Sequence, residues 1–280
     1  MPFSSLSSPS TPFVTDPFVE ALSSAPEKRE ISMQSSLTST PLLSIIIPAY
    51  NEEERLPETL AHVVEYLNQQ PYRAEIIVVS DGSTDTTVAL VKKWQIEVPY
   101  LILIDVPENQ GKGFCLKEGF TVAKGAYALM YDADKAVPID TLDQWLTPTL
   151  LLSDSLIVIG SRNIKTEGVV RRFNPFRRLA SVVFQKLTRL VAADIEDTQC
   201  GFKLFPQRAY HLFVDLQQEK GFAADLEYLT IAYAHGFEIE ERGVSWTNMA
   251  GSKVRVLQDS WRLFCAVFRI KYAHWQGYYR

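Results

Sequence analysis

Two aspartates one residue apart, Asp132 and Asp134, follow the apolar run 126–130 in the stretch "YDADKAVP". Like charges at the end of a buried strand repel, and two arrangements relieve them. One is a divalent cation: Mg²⁺ typically keeps one or two carboxylates together with phosphate oxygens. The other is a solvated acidic turn, which needs no ligand. On an ideal strand the two side chains share a face, which suits a metal that carries a diphosphate.

Further chemistry-bearing residues stand at comparable places. Asp81 closes "IIVVSD", and Gly82 behind it permits a tight turn. Its carboxylate can accept from the ring N–H of a nucleobase. It can also cap the next helix, although Ser83, Thr84 and Asp85 are better placed for that. Lys112, between glycines in "NQGKG", suits a phosphate or sugar contact or simply a flexible loop. Asp197, Asp225 and Glu227 are candidate general bases for a hydroxyl acceptor, or partners in salt bridges and caps. The phosphate loop G-x-x-x-x-G-K-[ST], a G-x-G-x-x-G after a strand and the nucleophile elbow G-x-S-x-G are all missing.

The elements that must position these residues alternate. "LLSIIIP", "AEIIVVS", "YLILIDV", "AYALMY" and "LIVIGS" read as buried strands. Helical spacing follows the first, at Leu56, Leu60, Val63, Val64 and Leu67. Helices are also expected after "STD", from "GKGFCLK" and near 139–150. Alternation of this kind predicts right-handed crossovers and an α/β fold, a mostly parallel sheet with helices on both faces. Ligands then bind beyond the carboxyl ends of the strands. Those ends deliver "PAYNEEE", "SDGSTD", "ENQGKG", "DADK" and "SRN", so acids, small residues and cations converge on one edge.

Bulk properties narrow the class. The chain has 280 residues, is 46% hydrophobic and carries a net charge of −5, which argues against a general nucleic-acid binder. Three scattered cysteines, Cys115, Cys200 and Cys265, form no metal spacing and suit a reducing compartment. No stretch reaches about 18 uninterrupted apolar residues, so no membrane span is expected. Residues 1–40, rich in Ser, Thr and Pro, read as a disordered tail, 41–257 as the globular domain and 258–280 as an amphipathic segment at a membrane interface.

"SIIIPAYNEEERL", "IIVVSDGSTDTT", "NQGKG" and "YDAD", in that order, resemble the family 2 glycosyltransferases of the GT-A fold. "VIGSR", "DTQCGFKLF", "FAADLEYL" and "VSWTNMAGSKV" are similar to the dolichyl-phosphate β-glucosyltransferases, cousins of the dolichyl-phosphate mannose synthases. The resemblance implies inverting transfer of a hexose, glucose from UDP-glucose, to a polyprenyl phosphate. Alternatives are GDP-mannose as donor, a soluble glycan as acceptor, or a degenerate nucleotide-sugar-binding module. The same resemblance implies that Pro48, Tyr50, Glu52 and Asp81 surround the nucleoside. It assigns Asp132 and Asp134 a divalent metal, Mg²⁺ or Mn²⁺, with the diphosphate. By the same resemblance Lys112 belongs to donor binding, Arg162 meets phosphate, and Gln199, Gly201 and Lys203 lie near the donor sugar or acceptor phosphate. Asp134, Arg162, Gln199 and Lys203 are thereby the expected catalytic set. Trp246, Ser252 and Lys253 belong to a loop that closes over the nucleotide. Two positions depart from the pattern. Ala136 stands where mannose synthases have glutamine, and Lys135 stands where the glucosyltransferases have glycine, with an ammonium able to replace part of a cation's charge.

A lipid acceptor requires a route to the membrane. Residues 161–192 hold eight Lys/Arg and one acid, and 175–193 reads as a basic amphipathic helix. Arg171, Arg172, Arg177 and Arg178 are the expected acceptor and membrane contacts, on the cytoplasmic face, with a core-covering helix as the alternative.

Overall fold

The computed structural model describes residues 40–164, 195–247 and 256–280, with 256–260 by backbone alone. The tail before residue 40, the basic helix expected at 175–193, the four arginines on and before it, Ser252 and Lys253 lie outside the described residues. β1 (Leu43–Ala49), β2 (Ala74–Asp81), β3 (Leu101–Val106), β4 (Tyr127–Tyr131) and β5 (Leu156–Ser161) stand where the apolar runs predict. α1 (Leu56–Asn68), α2 (Thr87–Glu97) and α3 (Lys112–Val122) connect the first four.

β1, β2, β3 and β4 pair in parallel, and the sheet runs β3-β2-β1-β4-β6-β5-β7. β6 (Phe202–Pro206) lies antiparallel between β4 and β5, while β7 (Glu238–Gly243) pairs in parallel with β5. Both faces are covered, so β1 is apolar on both. Ile46 joins one core with Leu116, Phe120, Phe213 and Tyr228. Ile45 and Ile47 join the other with Leu56, Leu60, Val63 and Trp145. α1 packs on one face and α3 on the other. The winding therefore reverses between β1 and β4, which opens a crevice beyond their carboxyl ends.

The helix expected near 139–150 is instead a 3₁₀ turn, Ile139–Gln144, followed by the single-turn α4 (Pro148–Leu151). Pro148 lacks the N–H an uninterrupted helix would need, and it sits at the start of the new turn, where none is required. α5 (Gln207–Leu216) and α6 (Ala224–Ala234) cover the face that carries α3. The C-terminal α7 (Val256–Trp275) packs against α6. Among the described residues no helix is long and apolar enough to cross a membrane.

Candidate active site

The first two strand ends are knitted together by side chains. Asn51 turns with φ +53, a left-handed conformation that asparagine tolerates better than most residues. Its Oδ1 accepts from the Thr84 amide at 2.8 Å, and its own N–H donates to Ser83 Oγ at 3.1 Å. Thr87 Oγ1 accepts from the Glu52 amide, and Asp85 Oδ1 accepts from the Thr87 amide at the start of α2. Asp85 thus does the capping. Asp81 does something else: Oδ1 takes the Gln110 amide at 2.7 Å and Oδ2 the Gly111 amide at 2.9 Å. Each carboxylate oxygen keeps a second lone pair. Gly82 has φ +66, and a Cβ there would stand 2.6 Å from the Asn109 nitrogen. The loop before α3 is therefore held directly against the end of β2.

That loop delivers Lys112. Its Nζ lies 2.8 Å from Asp132 Oδ1 and 3.8 Å from Asp225 Oδ2. Burial works against the ammonium, and Asp132 and Asp225 more than reverse it, so the proton is held. Burial likewise pushes the Asp132 carboxyl up, but Lys112 overrides it and holds the group below its ordinary value. Asp134 goes the other way, raised by burial and by the charge of Asp132.

β4 ends at Tyr131, so the two aspartates stand on a turn and not on the strand. Asp134 Oδ1 accepts from the Ala136 amide, and Oδ2 lies 3.7 Å from Arg55 Nη1. Arg55 also clasps Glu52, so the guanidinium joins β1's loop to the acidic turn. Only the Glu-x-x-Arg spacing in "EEER" hints at this residue in sequence. Lys135 takes φ +55, which explains why glycine suits the position. Its ammonium pairs with Glu58, away from the two aspartates. The expectation that it replaces cation charge is corrected accordingly.

The far wall comes from β5, β6 and the segment after β7. Asp197 accepts from Arg162 through Nε and Nη2, both at 2.8 Å, and through the backbone amide at 2.9 Å. The Arg162 guanidinium carbon lies 5.8 Å from the centre of the Trp246 ring, within cation–π range. The Thr247 amide donates to the Ala136 carbonyl, which brings Trp246 over the acidic turn. Asp132, Ala136, Arg162, Gly201 and Trp246 line one cleft. Tyr50 exposes its ring at the β1 end of the same edge, and Pro48 is the penultimate residue of β1.

Gln199 stands between Asp197 and Cys200, with a buried Nε2 that has no hydrogen-bond partner. Lys203 differs from expectation. It is fully buried on β6, donating to the Cys200 carbonyl at 2.6 Å and pairing with buried Asp225. It braces the floor beneath the cleft and does not face a substrate. Glu227, also buried, accepts from the Gln218 and Glu219 amides and from Tyr279 Oη at 2.7 Å.

A divalent cation fits this arrangement. Two carboxylates offer hard oxygen ligands, and the Asp134 carboxyl is raised first by burial and then by the neighbouring charge of Asp132, both of which a cation between them would relieve. Among the described residues no group of three or more His, Cys, Asp or Glu surrounds a metal position. The remaining coordination would fall to a ligand's phosphate oxygens and to water.

Known proteins share both sequence and shape. The model of "Glycosyl transferase family 2" matches residues 44–213. A dolichyl-phosphate β-glucosyltransferase of Trichomonas vaginalis is 34% identical over 223 residues, 76% of this chain and 68% of that protein. The dolichyl-phosphate β-glucosyltransferase of Homo sapiens is 34% identical over 229 residues, 77% and 70% of the two chains. Among solved structures, glucosyl-3-phosphoglycerate synthase of Mycobacterium tuberculosis with Mn²⁺, UDP-glucose and phosphoglyceric acid superposes with a TM-score of 0.61 at 16% identity. That match covers 86% of this chain and 83% of the other. Likeness at that identity shows the GT-A fold alone.

Proposed function

Because the chain belongs to glycosyl transferase family 2, among the dolichyl-phosphate β-glucosyltransferases, we propose that it transfers glucose from UDP-glucose to a polyprenyl phosphate such as dolichyl phosphate. The anomeric carbon inverts in one displacement. One observation carries the choice of a phosphate acceptor over a hydroxyl. Asp197 is occupied by Arg162, Asp225 by Lys203, and Glu227 by two amides and Tyr279. A sugar hydroxyl needs a base to take its proton. A phosphate monoester, with a second pKa of about 6, is already largely anionic at neutral pH and needs positioning instead.

In this reading Tyr50, Pro48 and Glu52 border the nucleoside, and Asp81 contributes the lone pairs its amide partners leave. Asp132 and Asp134 would hold a divalent cation, which supplies charge stabilisation for the departing UDP. Lys112 lies within reach of Asp132 and would share the diphosphate with it. Arg162, fixed by Asp197 and covered by Trp246, presents a locked guanidinium to the acceptor phosphate. Gln199 Nε2 is unpartnered but buried, so it would have to turn into the cleft to meet a sugar hydroxyl. A lipid acceptor puts the reaction at a membrane surface, with the protein peripheral to it. The reduced cysteines suit the cytoplasmic side.

The test is incubation with labelled UDP-glucose and polyprenyl phosphate in detergent, followed by extraction of lipid-linked sugar. Labelled lipid from UDP-glucose is expected, well above that from GDP-mannose. Efficient transfer to a free glycan with none to the lipid phosphate would overturn the proposal.

A further inference from the structure

α7 has two apolar faces, and the fold uses one. Ala266, Val267 and Ile270 are buried against the core that contains α6. On the opposite side Trp261, Phe264, Phe268, Tyr272 and Trp275 fall within an arc of about 80° at 3.6 residues per turn. Trp261 is 67% exposed, Tyr272 62% and Trp275 75%. The rings touch one another: Trp261 stacks on Phe264 at 5.5 Å, Phe264 meets Phe268 at 5.0 Å, and Tyr272 meets Trp275 at 6.0 Å. The result is one aromatic ridge about four turns long, made of two ring clusters, 261–268 and 272–275, and largely exposed among the described residues.

We infer that this ridge is a membrane-interface surface that lies on the headgroups of an anionic bilayer. Charge singles out that occupant. From the start of α7 onward, residues 256–280 hold four Lys/Arg and one acid, Asp259, within a chain of net charge −5. Exposed Lys271 flanks the ridge on one side of the helix, and Arg269, paired with Glu219, on the other. Tryptophan and tyrosine are the side chains that settle at the membrane–water boundary, and a basic helix with one apolar face lies in that plane.

The ridge is also tied to the cleft. Arg269 donates to Glu219 through Nε and Nη2, each at 2.9 Å, and Tyr279 reaches Glu227. The loop holding Glu219 packs on the start of α3: the Lys220 carbonyl accepts from the Phe114 amide at 3.0 Å, and Gln217 Nε2 donates to the Gly113 carbonyl. Lys112 stands between those contacts and Asp132. A bilayer under α7 would therefore meet the same loop that borders the diphosphate position. The inference deepens the lipid-phosphate reading, since such an acceptor presents its phosphate at headgroup level.

The full chain is tested by flotation with phosphatidylcholine vesicles, with and without phosphatidylserine, and by tryptophan emission. The wild type should float with the anionic vesicles, with emission shifted to the blue. Replacing Trp261→Ser, Phe268→Ser and Trp275→Ser together should leave the melting temperature unchanged, because all three side chains are exposed. Vesicle binding should fall about tenfold or more. Transfer to vesicle-embedded polyprenyl phosphate should fall with it, while transfer to a short, water-soluble polyprenyl phosphate stays at the wild-type rate. A triple variant that floats like the wild type would overturn the inference. So would a wild type that ignores vesicles but forms a dimer which the triple variant dissolves, because the ridge would then belong to a second copy. Failure of the wild type to use the water-soluble acceptor, with flotation as expected, would count against the acceptor reading and leave the docking surface standing.

Discussion

Gly201→Ala isolates the placement of Asp132 from its chemistry. A methyl at Gly201 would stand 1.8 Å from Asp132 Oδ2, 2.2 Å from Cγ and 2.5 Å from Oδ1, where contacts under 3.0 Å essentially never occur. Gly201 is not among the glycines with positive φ, so the methyl acts through this contact and not through backbone strain. The carboxylate must retreat by roughly 1 Å or more, which also draws it off Lys112. Misplacement of that size costs about 10²-fold in rate, or about 2.7 kcal/mol of transition-state stabilisation. The fold should survive, because Asp132 is 39% exposed and can swing toward solvent. A stability loss of about 1–3 kcal/mol is the usual cost of such crowding. The assay is initial-rate incorporation of labelled glucose into extracted lipid, beside the affinity for UDP in the presence of Mn²⁺. Both should weaken while the melting curve stays cooperative. Transfer within about threefold of wild type would refute the reasoning, since about 3-fold is well short of the loss expected from a shifted ligand.

Asp132→Asn and Asp134→Asn should each remove most transfer without unfolding the chain, and chelation of divalent cations should do the same to the wild type, reversibly on adding Mn²⁺; full activity in excess chelator would dismiss the metal role. Lys203→Met should cost about 3–5 kcal/mol in denaturant unfolding, because it leaves Asp225 buried beside only the more distant Lys112; a change below about 1 kcal/mol would mean that the pair contributes little. Burial works to raise Asp197, but Arg162 overrides it and lowers the carboxyl. The stabilisation is therefore present above the unfolded value of about 3.9 and lost as pH falls through the lower folded one. Below about pH 4 the wild type should lose melting temperature more steeply than Asp197→Asn, and parallel curves would remove the linkage.

The parallel half of the sheet was legible because its strands bury both faces. Unbroken β-branched runs such as "SIIIP" and "EIIVVS" have few other homes. β6 was not, because "FKLFP" carries a lysine in mid-strand. That lysine is fully buried, a placement that the Cys200 carbonyl and the buried Asp225 of α6 together permit. β7, "EIEERG", reads as polar because it lies at the end of the sheet, where Glu238 and Glu240 are exposed, while Glu241 accepts from the Glu196 and Asp197 amides. The proline that splits the expected helix near 139–150 was visible, and the period around it outweighed it.

At the site, motif and geometry part company for a single reason: a residue's type states what it can bond, and the fold decides which bonds are already made. Asp81, Asp197 and Lys203 all carry chemistry suited to a substrate, yet each is engaged within the protein. Asp132 and Asp134 look alike in sequence but differ in surroundings. Lys112 pairs closely with the first and holds it below its ordinary value, while burial and the charge of Asp132 raise the second against a more distant Arg55. A pair arranged this way is prepared for an incoming cation and diphosphate. In the proposed reaction Lys112 would pass from Asp132 to the phosphates as the donor arrives, and the new charges would replace the one it leaves. That Asp197, Asp225 and Glu227 are all engaged then becomes intelligible, because an acceptor that is already an anion asks the protein only to hold it still. Arg162, held by Asp197 through three donors, is built for that task.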